Sequence, residues 1–247
     1  MNDTQKTLLV LGGTSDIGRA TAHVFAKAGW KVMLAGRSPE ALAREAGDIA
    51  TRTGAPVTTH VLDILKTDGF TDFLEGLPSL PDVVVSAIGV LGDQGRAEGD
   101  PAHAAEVFRA NFEGPALILD QIAARMIARG SGTIVGISSV AGDRGRASNY
   151  AYGAAKAGFT AFLSGLRNRA ADKGVHVVTL KPGFVRTRMT EGMPLPGLLT
   201  AEPAEVGKAI FKATEAKRDV VYVRSVWWLV MTIICAIPEG VFKKLKL

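Results

Sequence analysis

The chain predicts an α/β fold: one doubly wound parallel sheet of about seven strands with helices on both faces. Two observations carry this. Short runs of Val, Ile and Leu alternate with segments of helical length almost throughout, and most of the runs lack the polar alternation of a half-exposed strand. Aromatic residues make up 6% of a chain that is 47% hydrophobic, so its core must be largely aliphatic and alanine. At 247 residues the chain is about one large domain, and no repeat or low-complexity linker divides it.

The expected strands are Thr7–Leu11, Val32–Ala35, Val57–Leu62, Asp82–Ala87, Gly132–Ser138, Val175–Leu180 and Val220–Val223. Helical segments lie between them at Ile17–Ala28, Pro39–Thr53, Thr67–Leu77, Pro101–Arg129, Ala151–Lys173 and Pro203–Ala216. Pro39, Pro101 and Pro203 stand near helix starts, where a missing N–H costs little. Lys181–Pro203 holds too many prolines and glycines for a regular element, and its length suits an active-site lid. After Val223 comes the apolar run Val226–Ile237 and then a basic end with Lys243, Lys244 and Lys246. Residues 1–224 read as a catalytic domain. Residues 225–247 read as an extension that packs on that domain, on a partner subunit or on a membrane surface. At about twelve residues, the apolar run is too short to span a bilayer.

A single cysteine excludes an internal disulfide framework and points to a reducing, cytoplasmic setting. No N-terminal run has the pattern of a signal peptide. The four histidines are too scattered for a metal spacing, so no metal site is expected. Lys and Arg outnumber Asp and Glu by 29 to 24, and the net charge is +5. No nucleic-acid module or basic stripe with interleaved aromatics accompanies that excess, so nucleic acid is not an expected partner.

The Gly-Gly-Thr-Ser-Asp-Ile-Gly run follows the first strand and opens the first helix. Its Gly12, Thr14, Ser15, Asp16, Ile17 and Gly18 are candidates to hold a pyrophosphate at a helix N-terminus, as in a Rossmann-like domain. Asp16 stands where a third glycine is usual, and its carboxylate can cap the helix. The second strand ends in Leu34-Ala-Gly-Arg37 with no carboxylate for a ribose 2′-hydroxyl. Arg37 can instead pair with a 2′-phosphate, so NADP(H) is preferred over NAD(H). Tyr152 and Lys156 are four apart on a helix, hence on one face, and the ammonium can lower the phenol pKa. Ser138 and Ser139 stand at the end of the fifth expected strand, where open α/β sheets bind ligands.

Together these motifs resemble the short-chain dehydrogenase/reductase family over about Thr7 to Val223. The resemblance implies catalytic roles for Asn111, Ser139, Tyr152 and Lys156. It selects Ser139 over Ser138, because the family's serine precedes the tyrosine by thirteen residues, and Tyr152 over Tyr150, which lacks the lysine. It implies that Tyr152 is the general acid or base, that Lys156 lowers its pKa and holds the nicotinamide ribose, that Ser139 polarises the carbonyl, and that Asn111 anchors a relay water. Further cofactor contacts follow at Asp63 (adenine), at Ala87 and Gly89 in Ser86-Ala-Ile-Gly89, and at Pro182, Gly183, Val185 and Thr187. The family's usual Asn-Asn before Ala-Gly is absent here. The resemblance also implies a homodimer or homotetramer acting on a small-molecule carbonyl substrate. The glycine loop, Val140–Arg146 and the tail ending further resemble those family members that reduce a keto-sugar carried on a polyprenyl phosphate. On that reading Arg144 and Arg146 are candidates for a substrate phosphate. The competing class is a non-catalytic NADP(H)-binding regulator on the same fold.

Overall fold

The computed structural model describes residues 5–245. Lys246, the last of the three lysines in the basic end, lies outside them. The main sheet comprises β1 (Thr7–Leu11), β2 (Lys31–Gly36), β3 (Val57–Val61), β4 (Val83–Ser86), β5 (Gly132–Ile137), β6 (Val175–Pro182) and β9 (Val220–Val223). Its order is β3-β2-β1-β4-β5-β6-β9 and every pairing is parallel. Two further strands, β7 (Phe184–Val185) and β8 (Thr200–Ala201), form a separate small pair.

Alternation along each strand sorts side chains between two cores. Leu8 and Val10 of β1 pack into one with α1 (Asp16–Lys27), α2 (Pro39–Thr53) and α8 (Pro203–Glu215), whose Phe25, Leu42 and Ile210 are fully buried. Leu9 and Leu11 face the other, with α3 (Phe70–Glu75), α6 (Gly114–Arg129) and α7 (Tyr150–Ala170), which contribute Phe70, Ile118 and Phe159. A strand buried on both sides has no polar face to alternate, which is why these runs read as continuous Val, Ile and Leu.

Several elements differ from the sequence-based expectation. The helix expected over Thr67–Leu77 is a 3₁₀ turn, Thr67–Gly69, followed by the short α3, which ends at Glu75 with Gly76 as its cap, ahead of Pro78. The segment Pro101–Arg129 is helical throughout, as expected, but not uniform: α5 (Pro101–Phe108) passes through a π turn at Arg109–Glu113 into α6. Gln94–Gly99, without a strong helical pattern, forms α4, whose N-cap Asp93 accepts from the Arg96 N–H at 2.8 Å. The breaker-rich Lys181–Pro203 is not wholly irregular, since β7, β8 and two 3₁₀ turns lie within it.

The tail forms α9 (Val226–Ala236) and the short α10 (Glu239–Phe242). Although α9 is apolar all round, only Trp227 and Met231 are buried; Trp228, Leu229 and Ile233 are exposed. Arg144 ties its C-terminal end down. The guanidinium donates to the carbonyls of Ile234 (2.7 Å), Cys235 (3.1 Å) and Ile237 (2.6 Å) and pairs with Glu239 (2.8 Å). It also lies 3.7 Å from the centre of the Phe242 ring. Helix-end carbonyls have no intrahelical donor, and Arg144 supplies one. It is therefore committed to the tail, which removes it as a candidate for a substrate phosphate. Among the described residues no helix is long and apolar enough to cross a membrane.

Arg144→Ala strips donors from three carbonyls at once. It is expected to cost about 1–3 kcal/mol in urea denaturation and to speed proteolysis after Val226. An unchanged cleavage rate would show that the clamp does not hold the tail.

Candidate active site

The winding reverses between β1 and β4, so the chain leaves their carboxyl ends toward opposite faces and a crevice opens between them. The glycine loop fills its near side. Gly12 has φ +86°, a left-handed conformation that favours glycine, and a Cβ there would stand 2.8 Å from the Ala87 carbonyl oxygen. A Cβ on Gly18 would run into the Gly12 carbonyl. Ser15, and not Asp16, caps α1: its Oγ accepts from the Gly18 N–H at 3.0 Å and donates to the Gly12 carbonyl at 2.7 Å. Asp16 instead accepts from Arg19 at 2.9 Å and from the backbone N–H of Arg188 at 2.8 Å. Arg188 also donates to the Thr14 carbonyl, so the segment after β7 is latched across the glycine loop. The first-turn N–H groups of Asp16 and Ile17 have no acceptor within α1. This cradle of backbone N–H groups between closely packed glycines at a helix N-terminus fits a dinucleotide pyrophosphate.

Two cavities share Ser15, Ala87, Ile88, Gly89 and Arg188 on their walls and so form one continuous groove. The smaller, about 190 Å³, is lined by Gly12, Thr14, Arg37 and Asp63. Arg37 is exposed there and makes no ion pair among the described residues. The larger, about 380 Å³, is lined by Ser139, Tyr152, Lys156, Pro182, Gly183, Val185 and Thr187. The groove thus gathers nearly every residue singled out in the sequence for a cofactor or for chemistry. Gly18 and Asn111 stay behind its walls.

The local structure separates the paired candidates. Ser138 is spent on α7, its Oγ lying 3.0 Å from the Lys156 carbonyl and 2.6 Å from Thr160 Oγ1. Ser139 sits in the cleft beside Tyr152 and accepts from the Ala141 N–H at 3.1 Å. Tyr150 is 48% exposed, whereas Tyr152 lines the cleft. Burial pushes the Tyr152 phenol up to about 12, and the Ser139 hydroxyl pulls the other way. The Lys156 ammonium is buried, donates to the Ile137 carbonyl at 3.1 Å and lies 5.7 Å from the Tyr152 ring centre. Burial brings its pKa down to about 8.

Asn111 sits in the π turn, fully buried. Its amide accepts from the Val90 N–H at 3.2 Å and donates to the carbonyls of Val90 (2.7 Å) and Val107 (2.8 Å). It therefore clamps the loop after β4. A Cβ on Gly89 would stand 2.7 Å from its Oδ1 and 3.3 Å from Lys156 Nζ, so only glycine fits between them.

Three contributors escaped the sequence. Arg188 had no local signal. Trp227, on the tail, lines the larger cavity and stacks so closely on Gly183 that any Cβ there would overlap the indole; its Nε1 donates to the Leu199 carbonyl at 2.9 Å. Asn149, one residue ahead of α7, had no signal of its own either.

Fold and site together define an oxidoreductase of the dinucleotide-dependent α/β class. A short chain dehydrogenase model matches residues 6–195, and the chain belongs to that family. It is 36% identical over 227 residues to an uncharacterised oxidoreductase of Mycobacterium tuberculosis, covering 90% of each chain. It is 35% identical over 244 residues to an uncharacterised oxidoreductase of Streptomyces coelicolor, covering 97% of this chain and 96% of that one. Among solved structures it superposes with a TM-score of 0.81 on a putative NAD(P)-dependent gluconate 5-dehydrogenase from Beutenbergia cavernae with bound NADP. That pair is 29% identical, with 91% of this chain and 97% of that one covered.

The buried lysine makes a signed prediction. Between about pH 8 and the ordinary lysine value of about 10.5, the unfolded chain carries a proton on Lys156 that the folded protein does not. Stability from this residue therefore rises with pH across that window. Lys156→Met is expected to be favoured over the wild type at pH 7 by a margin that shrinks by on the order of 3 kcal/mol by pH 10.5, read from denaturation midpoints. A margin independent of pH would mean that the ammonium is not buried.

Proposed function

We propose that this protein interconverts a ketone or aldehyde with the corresponding alcohol, using NADP(H) in preference to NAD(H). The observation that carries this reading is the meeting of Ser139, Tyr152 and Lys156 in one cleft. Giving or taking the hydride is the chemistry that a nicotinamide would supply when bound. The chain's own residues handle the proton and the oxygen. Tyr152 holds a proton at its hydroxyl, gives it to the carbonyl oxygen in reduction and takes it back in oxidation. Ser139 donates a hydrogen bond to the same oxygen. The Lys156 ammonium, 5.7 Å from the phenol ring centre, would stabilise the phenolate left when that proton departs, and would hold the nicotinamide ribose. Asn111 sets the Gly89–Val90 loop beside Lys156, where a relay water is held.

Arg37 would pair with the 2′-phosphate, Asp63 would meet adenine, and the Gly12–Gly18 loop would take the pyrophosphate; the groove lined by Arg37, Asp63, Gly12, Thr14, Ser15, Asp16 and Ile17 supports this assignment. A non-catalytic regulator would need the dinucleotide groove but not Ser139, Tyr152 and Lys156 together in the adjoining cavity.

The substrate is an amphiphilic carbonyl compound. Leu91, Met189, Met193 and Trp227 give the larger cavity its apolar walls. The glycine loop and the tail ending resemble the reductase component of decaprenylphosphoryl-ribose 2′-epimerase, and a keto-sugar on a polyprenyl phosphate suits such walls. Residues 1–224 form the catalytic unit of a cytoplasmic homodimer or homotetramer, and 225–247 the extension. Trp228, Leu229 and Ile233, with Lys243 and Lys244 beyond them, then rest on an anionic membrane surface.

Tyr152→Phe is expected to bind NADPH with near wild-type affinity, and more tightly than NADH, in fluorescence titrations. It should lose turnover of carbonyl substrates by at least about 10³-fold, the scale of general acid–base catalysis. Turnover retained in that variant would defeat the assignment. The full chain should float with anionic liposomes, and the double variant Trp228→Glu/Ile233→Glu should not. Equal flotation of the two would leave the apolar face to a partner subunit.

A further inference from the structure

Two polar side chains on the wall of the larger cavity each hold a buried atom that has no partner among the described residues. Arg146 and Asn149 both line it. The Arg146 Nε and the Asn149 Oδ1 are buried atoms without a hydrogen-bond partner among the described residues. Each is free for an identifiable reason.

An asparagine at a helix N-cap ordinarily accepts from the N–H of the second or third helical residue. Asn149 occupies that position on α7 and makes no such bond. The Ala151 N–H donates instead to the side-chain oxygen of Gln94, at 3.0 Å, reaching over from α4. Capping is thereby handed to another element, and Asn149, on the cavity wall, keeps a buried Oδ1 without a partner among the described residues.

Arg146 is a cation without an ion pair among the described residues. The carboxylate whose charge acts on it, Asp143, already accepts from Lys181 Nζ and from the Tyr222 hydroxyl at 2.9 Å. Arg144, its neighbour in the same loop, is engaged by the tail. Of the two arginines between Ser139 and Tyr152, only Arg146 faces the cavity. A half-buried guanidinium that has lost water on one edge gains most from an anionic oxygen.

We propose that Arg146 and Asn149 form a specificity site for a substrate that carries an anionic oxygen group near its carbonyl. Arg146 takes a carboxylate or phosphate oxygen, and Asn149 accepts from a neighbouring hydroxyl. The proposal rests on the carbonyl-reductase reading above and sharpens its substrate class: anionic at one end, apolar where Leu91, Met193 and Trp227 line the wall.

Matched probes test it. The carboxylate arm compares 4-oxononanoate with its methyl ester; the phosphate arm compares dihydroxyacetone phosphate with dihydroxyacetone. In the wild type, kcat/KM should favour the anionic member of at least one pair by about tenfold or more, the worth of a charge-assisted hydrogen bond. Arg146→Gln should bring that ratio close to one, with Arg146→Lys between. Asn149→Asp, which places a carboxylate beside the site, should lower the ratio as well, and it reads the same quantity should Arg146→Gln fail to fold. Calorimetric titration of each anionic probe into the NADP⁺ complex provides a readout that needs no turnover. If no probe is reduced but anion binding weakens about tenfold in Arg146→Gln, the site stands and the reaction assigned above falls. If probes are reduced with the same anionic-to-neutral ratio in wild type and Arg146→Gln, the specificity site is overturned while the reaction stands.

Discussion

The reversal of winding between β1 and β4 is the constraint on which the rest of this structure depends. The two strands pair in parallel, Leu8 to Leu11 against Val83 to Ser86, yet the chain leaves their carboxyl ends toward opposite faces of the sheet. Nothing can fill the gap between the diverging connections, so it becomes a groove bordered by backbone. That border demands close approach: Gly12 lies against the Ala87 carbonyl, and Gly89 is wedged between Asn111 and Lys156. The glycines are there because the groove has no space for side chains at its narrowest points.

A second consequence is electrostatic. Placing Lys156 on α7 over the end of β5 buries an ammonium, with the Ile137 carbonyl as its protein acceptor. Burial lowers the lysine pKa and raises that of the Tyr152 phenol, so each group lies nearer its neutral form than it would in water. A phenol that keeps its proton is suited to giving it to a carbonyl, and a nearby cation stabilises the phenolate that remains. The two shifts have one leading cause, burial in the cleft, and an ammonium beside a phenolate favours the charged form of both.

The tail belongs to the active site more than its place in the chain suggests. Trp227 covers Gly183 and joins the cavity wall, while Arg144 and Asp143, in the loop after Ser139, hold α9 and β9 from the other side. The loop that positions the serine and the helix that closes the cavity therefore share one polar knot. Loosening the tail disturbs the wall facing the substrate.

Much of this was legible in the residues themselves. Val-, Ile- and Leu-rich strands, Pro at helix starts, the glycine loop and the Tyr-x-x-x-Lys spacing are local patterns, and local patterns survive in one dimension. The π turn around Asn111, the cap that Gln94 lends to α7, the latch from Arg188 to Asp16 and the clamp from Arg144 to α9 were not legible. Each joins residues far apart in the chain or replaces a nearby partner with a distant one, as at Asn149, where a good N-cap residue does not cap. By itself the sequence determined a parallel α/β sheet, its dinucleotide loop and the pairing of a phenol with an ammonium, because hydrophobic period and residue spacing set those directly. Only the tertiary structure decided which arginine faces the cavity and which is spent on the tail. Arg144 and Arg146 are chemically identical and two residues apart, and only the surfaces packed against them distinguish their roles.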